Sequence, residues 1–141
     1  MLNKADFDNK RILSIDYGLK RIGFAYTDAL HISINYLPFM ENNDKFYNNL
    51  QRIIKEFNIE AILIGKPPII YNNDEFSNSL EGFIIFVKEN LDVIVTTYDE
   101  SHSTEESYKL FSEAKVKKSK RKENKDSFAA GVILRKFLEE C

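Results

Sequence analysis

The sequence predicts an α/β fold in which helices flank a mixed central sheet. Two features support it: the first third of the chain holds extended segments separated by short breaks, and segments with helical spacing then alternate with short apolar runs. The length of 141 residues, with 43% hydrophobic and 30% charged residues, suits one packed core. We therefore expect a single domain over residues 1–141.

The first part of the chain predicts three strands. Residues 11–16 form an apolar run, residues 17–20 break it, and residues 21–27 alternate apolar and polar side chains. These two strands should form a hairpin. A third strand is expected over residues 32–39.

Helices and strands then alternate. Asn43 is expected to cap a helix that ends near residue 58, and residues 61–64 predict a central parallel strand closed by Gly65 and two prolines. A helix through residues 76–87 leads to a β-branched strand at residues 93–97, which ends in Tyr98-Asp99-Glu100.

The remaining residues predict two helices and a basic loop. Ser103 can cap a short helix that reaches about Phe111, and residues 115–125 should form an exposed, basic loop. Asp126 or Ser127 can cap the last helix.

Carboxylates follow several of these elements. Asp16 ends the first strand, Asp99 and Glu100 end the last strand, and Asp126 opens the last helix. Ligands of open α/β sheets bind outside the carboxyl ends of the strands, and carboxylate oxygens are what Mg²⁺ prefers. Taken singly, Asp16 could be a turn residue, Asp126 a helix cap, and the Asp99-Glu100 pair a solvated strand end.

Four stretches, in chain order, resemble the YqgF family, also described as Holliday junction resolvase-like or pre-16S rRNA nucleases. They are Ile15-Asp16-Tyr17-Gly18-Leu19-Lys20-Arg21-Ile22-Gly23-Phe24-Ala25; Ile64-Gly65-Lys66-Pro67; Tyr98-Asp99-Glu100 with Ser103-Thr104; and Lys125-Asp126-Ser127-Phe128-Ala129-Ala130 with Ile133-Leu134. Together these stretches span nearly the whole chain.

The resemblance implies a ribonuclease H-like fold and a nuclease that processes precursor ribosomal RNA with Mg²⁺ or Mn²⁺. It carries the metal ligands to Asp16, Glu100 and Asp126, and it places Asp99 beside them as a catalytic candidate. Strand alternation sends Asp99 and Glu100 to opposite faces, so one of them could be structural. The family usually has an arginine after the Asp-Glu pair, whereas this chain continues with Ser101 and His102.

Basic residues next to the proposed site are candidates to bind nucleic acid. They are Lys20 and Arg21 in the first hairpin, and Lys117, Lys118, Lys120, Arg121 and Lys122 before Asp126. Such residues neutralise backbone phosphates with little sequence preference. The alternative is a solvated charge run without a specific role. Tyr17 and Tyr71 are further candidates, to stack on a base.

RNA, above all precursor ribosomal RNA, or structured DNA is the expected partner, with the ribosome as a further candidate. A cytoplasmic location is expected, because no apolar segment is long enough for a signal or a membrane span. The protein is expected to be a monomer or a homodimer. Two rival functions remain: an RNA- or ribosome-binding module with weakened catalysis, and a Holliday-junction-type DNA resolvase. An actin-like ATPase is disfavoured, since it needs two domains around its nucleotide.

Overall fold

The computed structural model describes residues 4–67, 74–99 and 125–139, with side chains from residue 5 onward and, in the last range, from residue 129. The predicted helix at residues 103–111 and the basic residues 115–124 lie outside these ranges. The elements are a 3₁₀ turn Lys4–Phe7, β1 Ile12–Asp16, β2 Arg21–Thr27, β3 Ile34–Glu41, α1 Phe46–Glu56, β4 Ala61–Lys66, α2 Asp74–Asn90, β5 Ile94–Asp99 and α3 Lys125–Glu139.

Within the described ranges, five strands form one mixed sheet in the order β3-β2-β1-β4-β5, which confirms the predicted sheet. β1, β2 and β3 form an antiparallel meander, while β4 pairs in parallel with both β1 and β5. β4 is apolar along nearly its whole length because it is a central strand. The carboxyl ends of β1, β4 and β5 therefore share one end of the sheet, which we call the carboxyl edge.

Helices cover both faces of the sheet. On one face, β1, β2 and β4 pack their alternate side chains against α1 and α2. On the other face the core joins the sheet to α3. The helical residues buried in these two cores are Phe46, Leu50 and Ile53 of α1, Leu80, Ile84 and Val87 of α2, and Ala130, Ile133 and Leu134 of α3.

Helix α3 runs antiparallel to β1. Its last turns meet the start of β1, where the ring of Phe137 lies edge-on to that of Phe7, with centroids 5.2 Å apart. Further back along α3, the carbonyl of Ala130 accepts a 2.8 Å hydrogen bond from the buried Ser14 hydroxyl. A Cβ on Gly131 would overlap the ring of Tyr36, so glycine permits the close approach of α3 to β3. The first turn of α3 therefore points towards the carboxyl edge.

Two predicted caps are wrong. Lys45, not Asn43, occupies the N-cap position of α1, and Asn43 Oδ1 instead accepts the backbone N–H of Lys45 in a turn before the helix. α3 begins at Lys125, so Lys125 is helical and Asp126 lies inside the first turn. Acidic residues are favoured throughout the first turn of a helix, so composition alone does not separate these positions.

Candidate active site

Asp16 is the half-buried last residue of β1, at the carboxyl edge. Side chains alternate along a strand, and Ser14 of β1 contacts α3, so Asp16 lies on the α3 face of the sheet. Its partner on β2 is Gly23. On the other side, Gly65 follows Ile64, the partner of Ile15, and so lies beside Asp16. The residues directly opposite Asp16 on both neighbouring strands are therefore glycines.

Tyr17, the next residue, belongs to the opposite face. Its ring stacks on that of Phe83 in α2, with centroids 4.7 Å apart, and its hydroxyl lies 2.5 Å from Ser79 Oγ. The prediction that Tyr17 stacks on a base is therefore wrong, because the ring is already engaged within the protein. This anchor holds the chain immediately after Asp16 against α2.

Asn42, the residue after β3, holds the turn between β1 and β2. The Asn42 side-chain amide donates to the carbonyl of Gly18 and its backbone N–H donates to that of Lys20, each at 2.9 Å. A Cβ on Gly18 would overlap the backbone carbonyl of Arg21, so this position requires glycine. Lys20 and Arg21, both predicted to bind nucleic acid, are exposed next to the carboxyl edge.

The Arg21 guanidinium lies over the ring of Phe39, with its Cζ 5.3 Å from the ring centroid. This contact, together with the pairing of Arg21 with Glu41, directs the residue towards β3. Arg21 therefore lies on the β3 side of the carboxyl edge.

Asp99 ends β5 on the face opposite Asp16. Tyr98 packs in the core under α3, so alternation places Asp99 on the α2 face, where it is exposed. Its partner in register on β4 is Lys66, whose Nζ lies 3.1 Å from Glu81 Oε1 of α2. Lys66 belongs to one of the family-like stretches but is not among the predicted site residues.

The backbone of Asp126 lies on the same side of the sheet as Asp16. Asp126 precedes Ala130 by one helical turn, about 6 Å, and Asp16 follows Ser14 by two strand residues, about 6.6 Å. Since α3 is antiparallel to β1 and Ser14 contacts Ala130, both steps lead to the carboxyl edge. The side chain of Asp126 lies outside the described part, as do Glu100 and the predicted basic residues Lys117, Lys118, Lys120, Arg121 and Lys122.

The donor chemistry at this edge suits a hard divalent cation. Asp16 offers carboxylate oxygens, which Mg²⁺ and Mn²⁺ prefer over sulfur or imidazole. Among the described side chains there is no group of three or more His, Cys, Asp or Glu residues that could hold a metal. Two of the three predicted ligands, Glu100 and Asp126, fall outside that set.

In the described ranges, no helix is long and apolar enough to cross a membrane.

Comparisons with known proteins agree with this geometry. A family model named RuvX and described as Holliday junction resolvase matches residues 10–140. A Desulforamulus reducens protein named as a candidate pre-16S rRNA nuclease is 35% identical over 132 residues, covering 92% of this chain and 96% of the relative. A Malacoplasma penetrans protein of the same name is 36% identical over 137 residues, covering 92% and 94%.

Two solved structures share the fold. RuvC of T. thermophilus, in complex with a Holliday junction substrate, matches with a TM-score of 0.57 at 13% identity, covering 92% of this chain and 94% of that one. The Fowlpox virus resolvase, in complex with Holliday junction DNA, matches with a TM-score of 0.52 at 16% identity, covering 92% and 99%. These likenesses confirm the ribonuclease H-like fold.

Proposed function

Because the chain belongs to the RuvX (YqgF) family, we propose that it is a metal-dependent nuclease that hydrolyses phosphodiester bonds in precursor 16S ribosomal RNA. The observation that carries this proposal is the position of Asp16. It lies at the carboxyl edge between two glycines, on the face where α3 brings the backbone of Asp126 to the same edge. Relatives that share over 90% of their length with this chain are named as candidate nucleases for this RNA.

In this proposal Asp16, Glu100 and Asp126 hold Mg²⁺ or Mn²⁺. The ion supplies a Lewis acid that neutralises phosphate charge and lowers the pKa of water. The three carboxylates come from β1, the segment after β5 and the first turn of α3. Asp99 stays in the proposed catalytic set on the α2 side of the edge, beside Lys66. Because Asp99 lies on the face opposite Asp16, we expect its replacement to slow cleavage less than replacement of a metal ligand does.

The basic residues bind the substrate backbone. Lys20 and Arg21 lie next to Asp16, and Lys117, Lys118, Lys120, Arg121 and Lys122 precede Asp126 in the sequence. Cations that neutralise phosphates release counterions, so binding should weaken steeply as salt rises and should depend little on base sequence.

Cleavage assays test this function. The purified protein is incubated with a precursor 16S RNA fragment in EDTA and in rising Mg²⁺ or Mn²⁺. The proposal expects products only with the divalent ion. The absence of cleavage of this RNA at every metal concentration would contradict it.

A second candidate is resolution of branched DNA. The description of the matching family favours it, as do the solved neighbours with bound Holliday junction DNA. A four-way DNA junction, run beside the RNA in the same assay, decides between the two substrates. A third outcome, salt-sensitive RNA binding without cleavage of either substrate, would favour a binding module with weakened catalysis. The serine and histidine that replace the usual family arginine motivate that alternative.

Since the proposed substrate is precursor ribosomal RNA, we propose that the protein acts in the cytoplasm, near the assembling ribosome. We propose that the activity resides in one domain, residues 1–141. Light scattering during size-exclusion chromatography distinguishes a monomer from a homodimer.

A further inference from the structure

Lys66 is the last residue of β4 and lies close to Asp16. Ile15 of β1 pairs with Ile64 of β4. Asp16 is one residue beyond Ile15, and Lys66 is two residues beyond Ile64. A strand spacing of about 4.8 Å and a rise of about 3.3 Å per residue put their Cα atoms about 6 Å apart. Alternation sends the Lys66 side chain to the α2 face and Asp16 to the α3 face, so the lysine reaches a nucleic-acid backbone that crosses the end of the sheet from Asp16 towards α2.

The Lys66 side chain is held by a weak ion pair. Its Nζ lies 3.1 Å from Glu81 Oε1, and the two side chains are 41% and 55% exposed. Exposed pairs of this kind contribute little stability, because water already solvates both charges. The lysine can therefore exchange the Glu81 carboxylate for another anion at little cost.

We propose that Lys66 binds a backbone phosphate of the substrate on the α2 side of the carboxyl edge, and that Glu81 holds it in the free protein. This inference rests on the proposed nuclease function and adds a subsite to it. Lys20 and Arg21 lie in the β1–β2 hairpin, on the β3 side of Asp16, whereas Lys66 lies on β4. The two subsites would hold the backbone on both sides of the carboxylates.

The proposal predicts effects of opposite sign for the two partners. Losing one phosphate contact reduces the slope of log affinity against log salt by about 0.7–0.9, which is about 5- to 8-fold weaker binding at 0.1 M salt. Lys66→Gln should show this loss. Glu81→Gln should tighten binding, because it removes the carboxylate that pairs with Lys66 and leaves only Asp99, the residue opposite Lys66 on β5, as a neighbouring acid.

The experiment measures the anisotropy of a fluorescein-labelled RNA hairpin, and of a labelled four-way DNA junction, in EDTA so that neither is cleaved. Binding is followed over a range of KCl concentrations for the wild type, Lys66→Gln, Glu81→Gln and the double variant. Glu89→Gln, an exposed carboxylate nearer the other end of α2, is the matched control for the loss of one negative charge. Thermal unfolding verifies that each variant is folded.

We expect Lys66→Gln to lower affinity and slope, and Glu81→Gln to raise affinity by more than Glu89→Gln does. The gain from Glu81→Gln should disappear when Lys66 is already glutamine, which is the signature of a coupled pair. If the wild type binds and Lys66→Gln binds with the same affinity and the same salt slope, Lys66 does not form the subsite, while the nuclease function stands. If Glu81→Gln gives the same gain in both backgrounds, Glu81 does not act through Lys66. If the wild type binds neither probe, both proposals fail.

Discussion

The contact between Ser14 and α3 offers a quantitative test of how the fold positions the site. Ser14 is fully buried, and its hydroxyl donates a 2.8 Å hydrogen bond to the carbonyl of Ala130. In Ser14→Ala that bond is lost, but the carbonyl keeps its helical acceptor role towards the residue four positions later. No buried group is orphaned, so the cost is that of one hydrogen bond, about 1 kcal/mol.

A loss of about 1 kcal/mol should lower the melting temperature by about 4 °C in a domain of this size. Urea titration followed by circular dichroism measures the free energy of unfolding. Circular dichroism is the suitable signal because the sequence contains no tryptophan. With an ordinary stability of at least about 5 kcal/mol, the variant keeps at least about 4 kcal/mol and stays about 99.9% folded at 25 °C.

Ser14→Ala should also lower kcat, because the contact fixes the first turn of α3 over the carboxyl edge. Ile53→Val is the matched control: it costs about 0.5–1.5 kcal/mol in the core under α1, on the opposite face. If Ser14→Ala is as stable as the wild type, the hydrogen bond to Ala130 does not stabilise the fold. If the two variants change kcat equally at equal stability loss, the bond does not position the site.

Three further predictions concern stability. The backbone N–H of Ser33 donates to the Asp28 carboxylate and lowers the pKa of that carboxyl below 3.8. Asp28→Asn should therefore be less stable than the wild type at neutral pH. The difference in the free energy of unfolding should shrink as the pH falls below 3.8, the ordinary pKa of the carboxyl, towards its lower pKa in the folded protein; a difference that does not change with pH would contradict this. Tyr17→Phe removes the hydroxyl contact with Ser79 but keeps the ring packing, so we expect a loss of about 1 kcal/mol in urea titration, and no loss would show the contact to be idle. Gly131→Leu introduces a side chain where a Cβ alone would overlap a tyrosine ring, so it should destabilise by about 1–3 kcal/mol, and wild-type stability would refute the close packing of α3.

The sheet was predictable because its strands differ in pattern. The predicted bounds of the second strand, residues 21–27, match β2, because large apolar residues recur at every second position, at Ile22, Phe24 and Tyr26. β3 instead begins at Ile34, two residues later than predicted. His31 adopts a left-handed backbone with φ 58°, and the Asp28 carboxylate binds the backbone N–H groups of Ile32 and Ser33. These loop contacts delay the strand and carry no periodic signal.

The site was predictable only in part. The position of Asp16 at a strand end follows from the run before it, but its face is known only because Ser14 contacts α3. Tyr17 looked available to a base because it lies in a turn, whereas long-range stacking on α2 engages it. Lys66 was missed for the same reason, because its partner Glu81 lies on another element. Contacts between distant segments decide these roles, and a single sequence does not display them.

Whether Asp16 holds the catalytic metal is tested most directly by the metal-dependent rate at which Asp16→Asn cleaves the precursor 16S RNA fragment. Asparagine keeps the shape of the side chain but removes the charge that would hold the cation. Asp92→Asn, an exposed carboxylate before the start of β5 and so at the opposite end of the sheet, is the matched control. Replacing a residue that only supports a metal ligand costs 10- to 100-fold, so losing a ligand should cost at least about 100-fold in kcat. We expect that loss for Asp16→Asn and wild-type cleavage for Asp92→Asn; equal cleavage by the two variants would show that Asp16 holds no catalytic metal.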